Sequence, residues 1–125
     1  MREILFRGKR TDNGELVYGF YAKSGDKTFI IVDNDIAVGY VTMKEVITET
    51  VGQYTGLTDC NGKRIFEGDI IKMGLAICTI SYDAYNGRYM LYERGKYKRD
   101  GFNADTMQLK EVIGNIHDNP ELLEQ

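Results

Sequence analysis

Apolar and polar residues alternate along the first third of the chain, and turn-forming residues separate the alternating stretches. The first stretch lies around Ile4 and Phe6, and the second places Leu16, Tyr18 and Phe20 on one face. Thr28–Val32 is rich in β-branched and aromatic residues, and Ile36–Thr42 resumes the alternation. The pattern predicts four strands, because a period of two is typical of a half-buried strand.

The turn signals between these stretches are Asp12-Asn13-Gly14, Ser24-Gly25-Asp26 and Asp33-Asn34-Asp35. Asp, Asn and Gly tolerate the backbone conformations that tight hairpins need. Residues 1–50 are therefore predicted to form an N-terminal β-meander, a series of consecutive hairpins.

After residue 50 the turn signals become stronger. Asn61-Gly62 predicts a hairpin turn before Ile65-Phe66, and Asn86-Gly87 predicts another that leads into Arg88–Tyr92. Between them, Glu67-Gly68-Asp69 is a polar corner in front of the apolar pair Ile70-Ile71, and Leu75–Tyr82 alternates again. Several short strands separated by turns are typical of a small barrel or a sandwich.

Two segments depart from this pattern. Met43–Thr50 fits a short helical turn or an irregular connection, which is the preferred interpretation, although its Val, Ile and Thr residues also suit an extended chain. Near the end, Asn119 is a good N-cap and Pro120 suits the first helical position. Residues 118–125 are therefore predicted to form a short C-terminal helix or tail, with Leu122 and Leu123 packed on the sheet.

Composition and charge limit the function classes. A chain of 125 residues can bury a core without cross-links, and its net charge of −3 does not suggest a protein that coats nucleic acid. Cys60 and Cys78 are too few for a disulfide framework or a zinc site, and are expected to be free, mostly buried thiols. The sequence shows neither a signal-peptide core nor an apolar run long enough to span a membrane, so a cytoplasmic location is expected.

Candidate catalytic and metal-binding residues are sparse. His117, next to Asp118, is expected to be an exposed surface residue rather than a general base. Glu67 and Asp69 would point to the same side of an extended chain, but two oxygen ligands without a third favour a role in the turn. Asp33-Asn34-Asp35 lacks the glycine and glutamate of a calcium loop, and no phosphate-binding glycine motif occurs. The sequence predicts no enzyme, no metal site and no cofactor.

The segment Asn86–Arg99 combines basic and aromatic residues. Such surfaces bind single-stranded nucleic acid, because the charges contact phosphates and the rings stack on bases. The candidate nucleic-acid-binding residues are Arg88, Tyr89, Tyr92, Arg94, Lys96, Tyr97 and Lys98. The alternative, which the negative net charge favours, is an exposed hairpin whose lysines protect a sheet edge and whose tyrosines pack.

Three blocks of the sequence resemble the YopX family, a group of small proteins found mainly in bacteriophages and prophages. The first is Arg2–Lys9 with Gly14 and Tyr18-Gly19, the second is Val51–Leu57 with Asp59, Asn61-Gly62 and Ile65–Asp69, and the third is Glu111–Ile116 with Asn119–Leu123. The blocks occur in the family's order and span nearly the whole chain. The resemblance implies a mainly β protein in which residues 51–117 form an SH3-like β-barrel. It also implies self-association, a homo-oligomer, and no established enzymatic activity.

The central block has a physical interpretation of its own. Its glycines suit sharp turns or close backbone approach, and Asp69 can accept hydrogen bonds from turn amides. Gln53 and Tyr54 can bridge strands or face a partner. The predicted structural motif comprises Gln53, Tyr54, Thr55, Gly56, Asn61, Gly62, Glu67, Gly68 and Asp69.

Three functions stay open at this point. The preferred one is a non-enzymatic accessory protein of phage or prophage type that acts by self-association or by binding a protein partner. The second is a nucleic-acid-binding module that uses residues 86–99. The third and least favoured is a small enzyme whose site forms between subunits, with Glu67, Asp69 and His117 as its candidates.

Overall fold

A computed structural model describes residues 3–32, 42–94, 97–99 and 110–124, and strands dominate this part of the chain. The mainly β prediction is confirmed, and the described strands form two antiparallel sheets. The strands are β1 (Phe6–Lys9), β2 (Leu16–Ser24), β3 (Lys27–Val32), β4 (Thr42–Val46), β5 (Gly52–Thr58), β6 (Arg64–Phe66), β7 (Asp69–Met73), β8 (Ala76–Asp83), β9 (Arg88–Glu93), β10 (Tyr97–Arg99) and β11 (Glu111–Asn115). Short 3₁₀ turns occupy Thr48–Thr50 and Pro120–Leu123.

The chain divides into two compact units, Met1–Tyr54 and Thr55–Gln125. In the first unit the strand order is β4-β3-β2-β1, and β1 also pairs with the first residues of β5 at Gly52 and Gln53. Consecutive strands are therefore hydrogen-bonded neighbours, which is the arrangement of a meander. The predicted turn at Asp33-Asn34-Asp35 and the predicted start of a strand at Ile36 lie outside the described residues.

The segment Met43–Thr50 was predicted to be a helical turn or an irregular connection, and this is wrong for its first half. Residues up to Val46 belong to β4 and pair with β3. Their β-branched and long side chains favour a strand because they can pack against those of the neighbouring strand. Only Thr48–Thr50 forms a 3₁₀ turn. Its end is tied to β1, since the Thr50 hydroxyl accepts the Lys9 N–H at 2.9 Å and donates to the Ile47 carbonyl at 2.6 Å.

In β2, the face that carries the large apolar residues is exposed, and the buried residue lies on the other face. Leu16, Tyr18 and Phe20 alternate along β2, but Tyr18 and Phe20 are 45% and 49% exposed. The buried position between them is Gly19, and a Cβ there would lie 2.1 Å from the Ile31 carbonyl oxygen. Backbone packing of this kind requires glycine, which gives no hydrophobic signal in the sequence.

The second unit contains the rest of β5, which pairs with β6, and a five-stranded sheet of order β10-β9-β8-β7-β11. Its core is a cluster of fully buried residues from β6 to β9. The members are Ile65, Ile71, Cys78, Ile80 and Leu91, with Leu57, Ala76, Tyr89 and Val112 packed around them. Burying each large aliphatic side chain contributes roughly 1.5–3 kcal/mol, so this cluster is a main source of the unit's stability.

Among the described strands, neither hydrogen-bonded sheet closes on itself to form a barrel. The predicted C-terminal helix is a single 3₁₀ turn at Pro120–Leu123, which lies against β8. Asn119 does not cap it by a side-chain hydrogen bond. The Asn119 Oδ1 instead accepts the Asn115 N–H at 3.2 Å. The described residues contain no helix that is both long and apolar enough to cross a bilayer.

Candidate functional site

The turn after β5 is organised by the buried carboxylate of Asp59. Its Oδ1 accepts the N–H groups of Asn61 and Lys63 at 2.9 Å each, and its Oδ2 accepts the Val112 N–H of β11 at 2.9 Å. Gly62 has a φ of +80°, as the predicted Asn61-Gly62 turn requires. One side chain thus closes a local turn and joins it to a strand 53 residues away.

Burial opposes ionisation of the Asp59 carboxyl and is the largest single influence on its pKa. The backbone N–H groups of Val112, Lys63 and Asn61, together with the positive charge of Lys63, outweigh burial and hold the pKa below its usual value. The carboxylate form is therefore part of the folded structure. The sequence analysis did not single out Asp59 for this role, although an Asp two residues before Asn-Gly is an Asx-turn signal.

The corner Glu67-Gly68-Asp69 joins β6 to β7. Asp69 is buried, and its Oδ2 accepts the Phe66 N–H at 2.8 Å, a hydrogen bond that closes the turn. The expectation that Glu67 and Asp69 point to the same side of an extended chain is wrong. Gly68 lies between them with a φ of +92°, so the chain turns there and Glu67 is left half-buried while Asp69 is enclosed.

The other residues of the predicted motif also serve the backbone. Gln53 pairs with Phe6 of β1, and the Tyr54 N–H donates to the Leu5 carbonyl at 2.8 Å. The Thr55 hydroxyl donates to the Ile65 carbonyl at 2.8 Å, next to Gly56 with a φ of +92°. These contacts hold strands in register.

The C-terminal end of β11 is closed by Asn115, which the sequence analysis did not single out. Its Oδ1 accepts the N–H groups of His117 and Asp118 at 3.0 Å each, and its Nδ2 donates to the Asp118 carboxylate at 3.1 Å. Because these bonds fold the turn back onto the sheet, His117 is half-buried rather than the exposed surface residue that the sequence analysis expected.

The two cysteines differ in environment. Cys78 is fully buried in the core of the second unit, as expected, but Cys60 is exposed because it sits in the tight turn that Asp59 organises. A further buried polar residue, Lys110, was not anticipated. Its side chain is fully enclosed, and burial lowers its pKa against a smaller opposing effect of Cys78.

No cluster of three or more His, Cys, Asp or Glu side chains that could hold a metal ion occurs among the residues the structure covers. Glu67, Asp69 and His117, the candidates for an enzyme, all serve or neighbour backbone turns in the second unit.

The predicted nucleic-acid-binding residues do not share one surface. Arg88 is exposed and Tyr92 is half-buried on one side of β9, whereas Tyr89 lies on the other side and packs against the core. The Tyr89 ring contacts that of Tyr82 edge-to-face, with centroids 5.2 Å apart. Tyr97 and Lys98 belong to β10, where Lys98 pairs with Tyr92, and Lys96 lies outside the described residues.

Arg94 stands apart from the other basic residues. It follows β9 with a φ of +52°, and its N–H donates to the Ile77 carbonyl at 2.7 Å. Arg94 lines a cavity of about 260 Å³ together with Leu75, Ala76, Ile77 and Glu93. The Arg94 Nη1 is buried and meets no hydrogen-bond partner among the residues that the structure describes.

The first unit carries an exposed apolar surface on its sheet, formed by Tyr18, Phe20, Ile31 and Met43 and called here the aromatic face. Phe20 pairs with Ile31, and Ile31 pairs with Met43, so these side chains lie side by side across three strands. Met43 is 51% exposed, similar to Tyr18 and Phe20. The alternation of β2 identified two of these residues but not their exposure.

Comparisons with known proteins support a family assignment. A comparison with curated protein sequences found no significant match. The crystal structure of protein EF1440 from Enterococcus faecalis is similar over 98% of this chain and 99% of that chain, with 25% sequence identity and a TM-score of 0.62. The family model described as YopX protein matches residues 5–124. Since that match covers nearly the whole sequence and agrees with the three blocks identified above, the chain belongs to the YopX family.

Proposed function

We propose that this protein is a non-enzymatic accessory protein of phage or prophage type, which acts in the bacterial cytoplasm by binding itself or another protein through the aromatic face. The observation that carries the proposal is the exposure of Tyr18, Phe20 and Met43 next to one another on a regular sheet. Membership of the YopX family supports it, because the family has no established enzymatic activity.

Aromatic residues and methionine are the types that protein interfaces use most. Tyr and Phe supply large, rigid contact areas, and Met adapts its flexible chain to different partners. Grouped apolar side chains on a surface mark interaction sites more often than single ones do. A sheet face with such residues offers a contact area that water solvates poorly, so covering it is favourable.

The test is the mass of the protein in solution, measured by light scattering over a range of concentrations, together with capture of partners from induced or infected cells. The double variant Phe20→Ser, Met43→Ser should lower the assembly mass or abolish capture. The control variant Leu75→Ser, Tyr85→Ser removes two even more exposed apolar residues from turns of the second unit and should leave both unchanged. A protein that is monomeric at every concentration and captures no protein would contradict the proposal.

A second candidate function is nucleic-acid binding by the basic and aromatic segment. Arg88 and Tyr92 lie on the same side of β9, so a cation and a ring share one face of that strand. Phosphate contacts make binding steeply dependent on salt. Gel shifts with single- and double-stranded oligonucleotides at two salt concentrations test this, and the absence of a shift at low salt would exclude it.

The SH3-like barrel that the resemblance implies for residues 51–117 stays part of this proposal. The β5–β6 pair and the five-stranded sheet are its components, and an experimental structure that covers residues 100–109 would decide whether the strands close.

A further inference from the structure

β11 is an outer strand among the strands that the structure describes, yet polar groups of neighbouring turns close its outer edge. Its inner edge pairs with β7. Near the start of the strand, the Val112 N–H points away from β7 and donates to the Asp59 Oδ2 at 2.9 Å. Two residues earlier, the Lys110 carbonyl accepts the Cys60 N–H at 2.9 Å. The turn that Asp59 organises therefore lies along the edge where a further strand would pair.

The other end of this edge is closed by Asn119. The Asn115 N–H donates to the Asn119 Oδ1 at 3.2 Å, and the Asn115 carbonyl accepts the Asn119 N–H at 2.8 Å. The next residue, Ile116, makes the inward bond, from its N–H to the Gly68 carbonyl at 2.9 Å. Because successive residues of an antiparallel strand point their backbone groups to opposite sides, those of Asn115 point outward. Asn119 thus occupies the donor and the acceptor that an incoming strand would need.

Between the two closed ends, β11 is irregular. Val112 pairs with Ile71 and Gly114 pairs with Ile70, so Ile113 is an extra residue relative to β7. Such a β-bulge interrupts the regular spacing of backbone groups, and bulges are one of the means by which proteins keep outer strands from pairing with other chains. The middle of the edge is therefore a poor template for another strand.

An open outer strand presents a row of N–H and C=O groups that pairs readily with a strand of another molecule. We propose that Asp59 and Asn119 protect the outer edge of β11 from strand addition, and that without them this edge pairs with strands of further copies of the chain. Neither residue belongs to the apolar core of the second unit, so closing the edge is a role separate from core packing. The protected edge lies in the second unit, and the inference does not depend on the aromatic face.

The experiment compares aggregation rates by light scattering at one protein concentration. Each variant is held the same interval below its own unfolding midpoint temperature, so that differences in stability are matched. The edge-open variant is Asp59→Ala, Asn119→Ala. Its control is Leu91→Ala, which removes a fully buried core side chain and leaves the edge untouched. The edge-open variant should aggregate about tenfold faster than the control or more, because it frees the outward N–H groups of Val112 and Asn115 for an incoming strand.

A proline tests whether β11 is the strand that pairs. Adding Val112→Pro to the edge-open variant removes the outward N–H, and proline is accepted on outer strands where that group faces away from the sheet. The aggregation rate should then return to about that of Leu91→Ala. Asn119→Ala alone is a milder change that should accelerate aggregation less than the double variant does, and it carries the test if the double variant does not fold.

The proposal is overturned if the edge-open variant aggregates no faster than Leu91→Ala at the matched interval, or if Val112→Pro leaves its rate unchanged. Hydrogen exchange in the parent is an independent measurement. The amides of Val112 and Asn115 should be protected, as the inward amide of Ile116 is, and exchange at the rate of an unbonded amide would also overturn the proposal. All variants keep the aromatic face, so association through that face affects each of them equally.

Discussion

Replacing Asp59 by asparagine tests whether one buried carboxylate holds the second unit together. Its two oxygens accept three backbone N–H groups, those of Asn61, Lys63 and Val112, all at 2.9 Å. An asparagine has nearly the same shape but only one acceptor oxygen. If that oxygen keeps the two turn donors, the new Nδ2 group faces the Val112 N–H and leaves a buried donor without a partner.

The expected cost follows from these contacts. A buried donor left unsatisfied costs about 1–3 kcal/mol, and hydrogen bonds to a charged acceptor are worth about 1 kcal/mol more than neutral ones. Asp59→Asn should therefore lower the free energy of unfolding by about 2–4 kcal/mol. Asp59→Ala leaves three donors unpaired and should cost at least as much. Losses of this size are a large fraction of the roughly 5–15 kcal/mol that stabilises a typical domain.

Urea unfolding followed by far-ultraviolet circular dichroism measures the effect at neutral pH and in acid. A loss of about 3 kcal/mol corresponds to a fall of about 1–3 M in the urea midpoint. The folded-state pKa of Asp59 is depressed, so its contribution is present above the unfolded-state pKa of about 3.9 and disappears as the pH falls through the folded-state value. The difference between parent and Asp59→Asn should therefore shrink at low pH.

The control is Asp83→Asn, at the last residue of β8, where the turn to β9 begins. Asp83 Oδ1 also accepts two local backbone N–H groups, from Tyr85 and Asn86, but that turn is exposed and water can replace the lost bonds. This variant should change the midpoint far less. The reasoning would be refuted if Asp59→Asn cost no more than the control, or if its deficit stayed constant through the acid range.

Three further substitutions probe other parts of the fold. Gly114→Ala should lower the free energy of unfolding, measured in urea, by about 1–3 kcal/mol, because a Cβ there would lie 2.5 Å from the Asn119 Oδ1. Adding Asn119→Ala removes that oxygen and should lower the free energy little further. Additive losses from the two substitutions would contradict the clash. Arg94→Gly should raise the free energy of unfolding by about 0.5–1 kcal/mol, whereas Arg94→Ala, which keeps the left-handed strain, should not; equal stability of the two variants would refute the role of the backbone. The stability that Lys110→Met gains over the parent should be largest below the folded-state pKa of Lys110, where the buried ammonium of the parent is charged. Since the folded-state pKa of Lys110 is lowered, parent stability should rise with pH as the pH passes from that pKa towards the unfolded-state value near 10.4, by up to about 1.4 kcal/mol per pH unit, and a gain that is independent of pH would contradict this.

The sequence analysis predicted local features better than features that depend on contacts between distant segments. Period-two alternation predicted β1 to β3 and β8, the apolar pair Ile70-Ile71 predicted β7, and the Asn86-Gly87 turn signal predicted β9 after it. The Asn-Gly and Asp-Asn-Gly signals predicted turns that the structure contains at Gly14, Gly62 and Gly87, all with positive φ. These features are local, since they depend on a few consecutive residues and the conformations that those residues tolerate. The prediction failed at Met43–Val46, where helical spacing and β-branched residues competed and pairing with β3 favoured the strand.

The candidate sites were less predictable than the strands. Arg94 was singled out for its charge, but its left-handed backbone and its hydrogen bond to the Ile77 carbonyl, 17 residues earlier in the chain, are visible only in the folded structure. Lys110 gives no sign in the sequence that it is enclosed. The aromatic face was visible as alternation in β2, yet alternation identifies two faces without saying which one is covered.

The sequence by itself therefore determined that this chain is built of short strands and tight turns, and it contained the three blocks that identify the YopX family. Tertiary structure alone decided that Gly19 rather than Tyr18 or Phe20 faces the interior of the first unit, because a backbone carbonyl occupies the space that a side chain would need. It also decided that Asp59 joins its turn to Val112, since the donor comes from a strand 53 residues away. Burial and long-range pairing depend on which segments meet, and local residue patterns do not encode that directly.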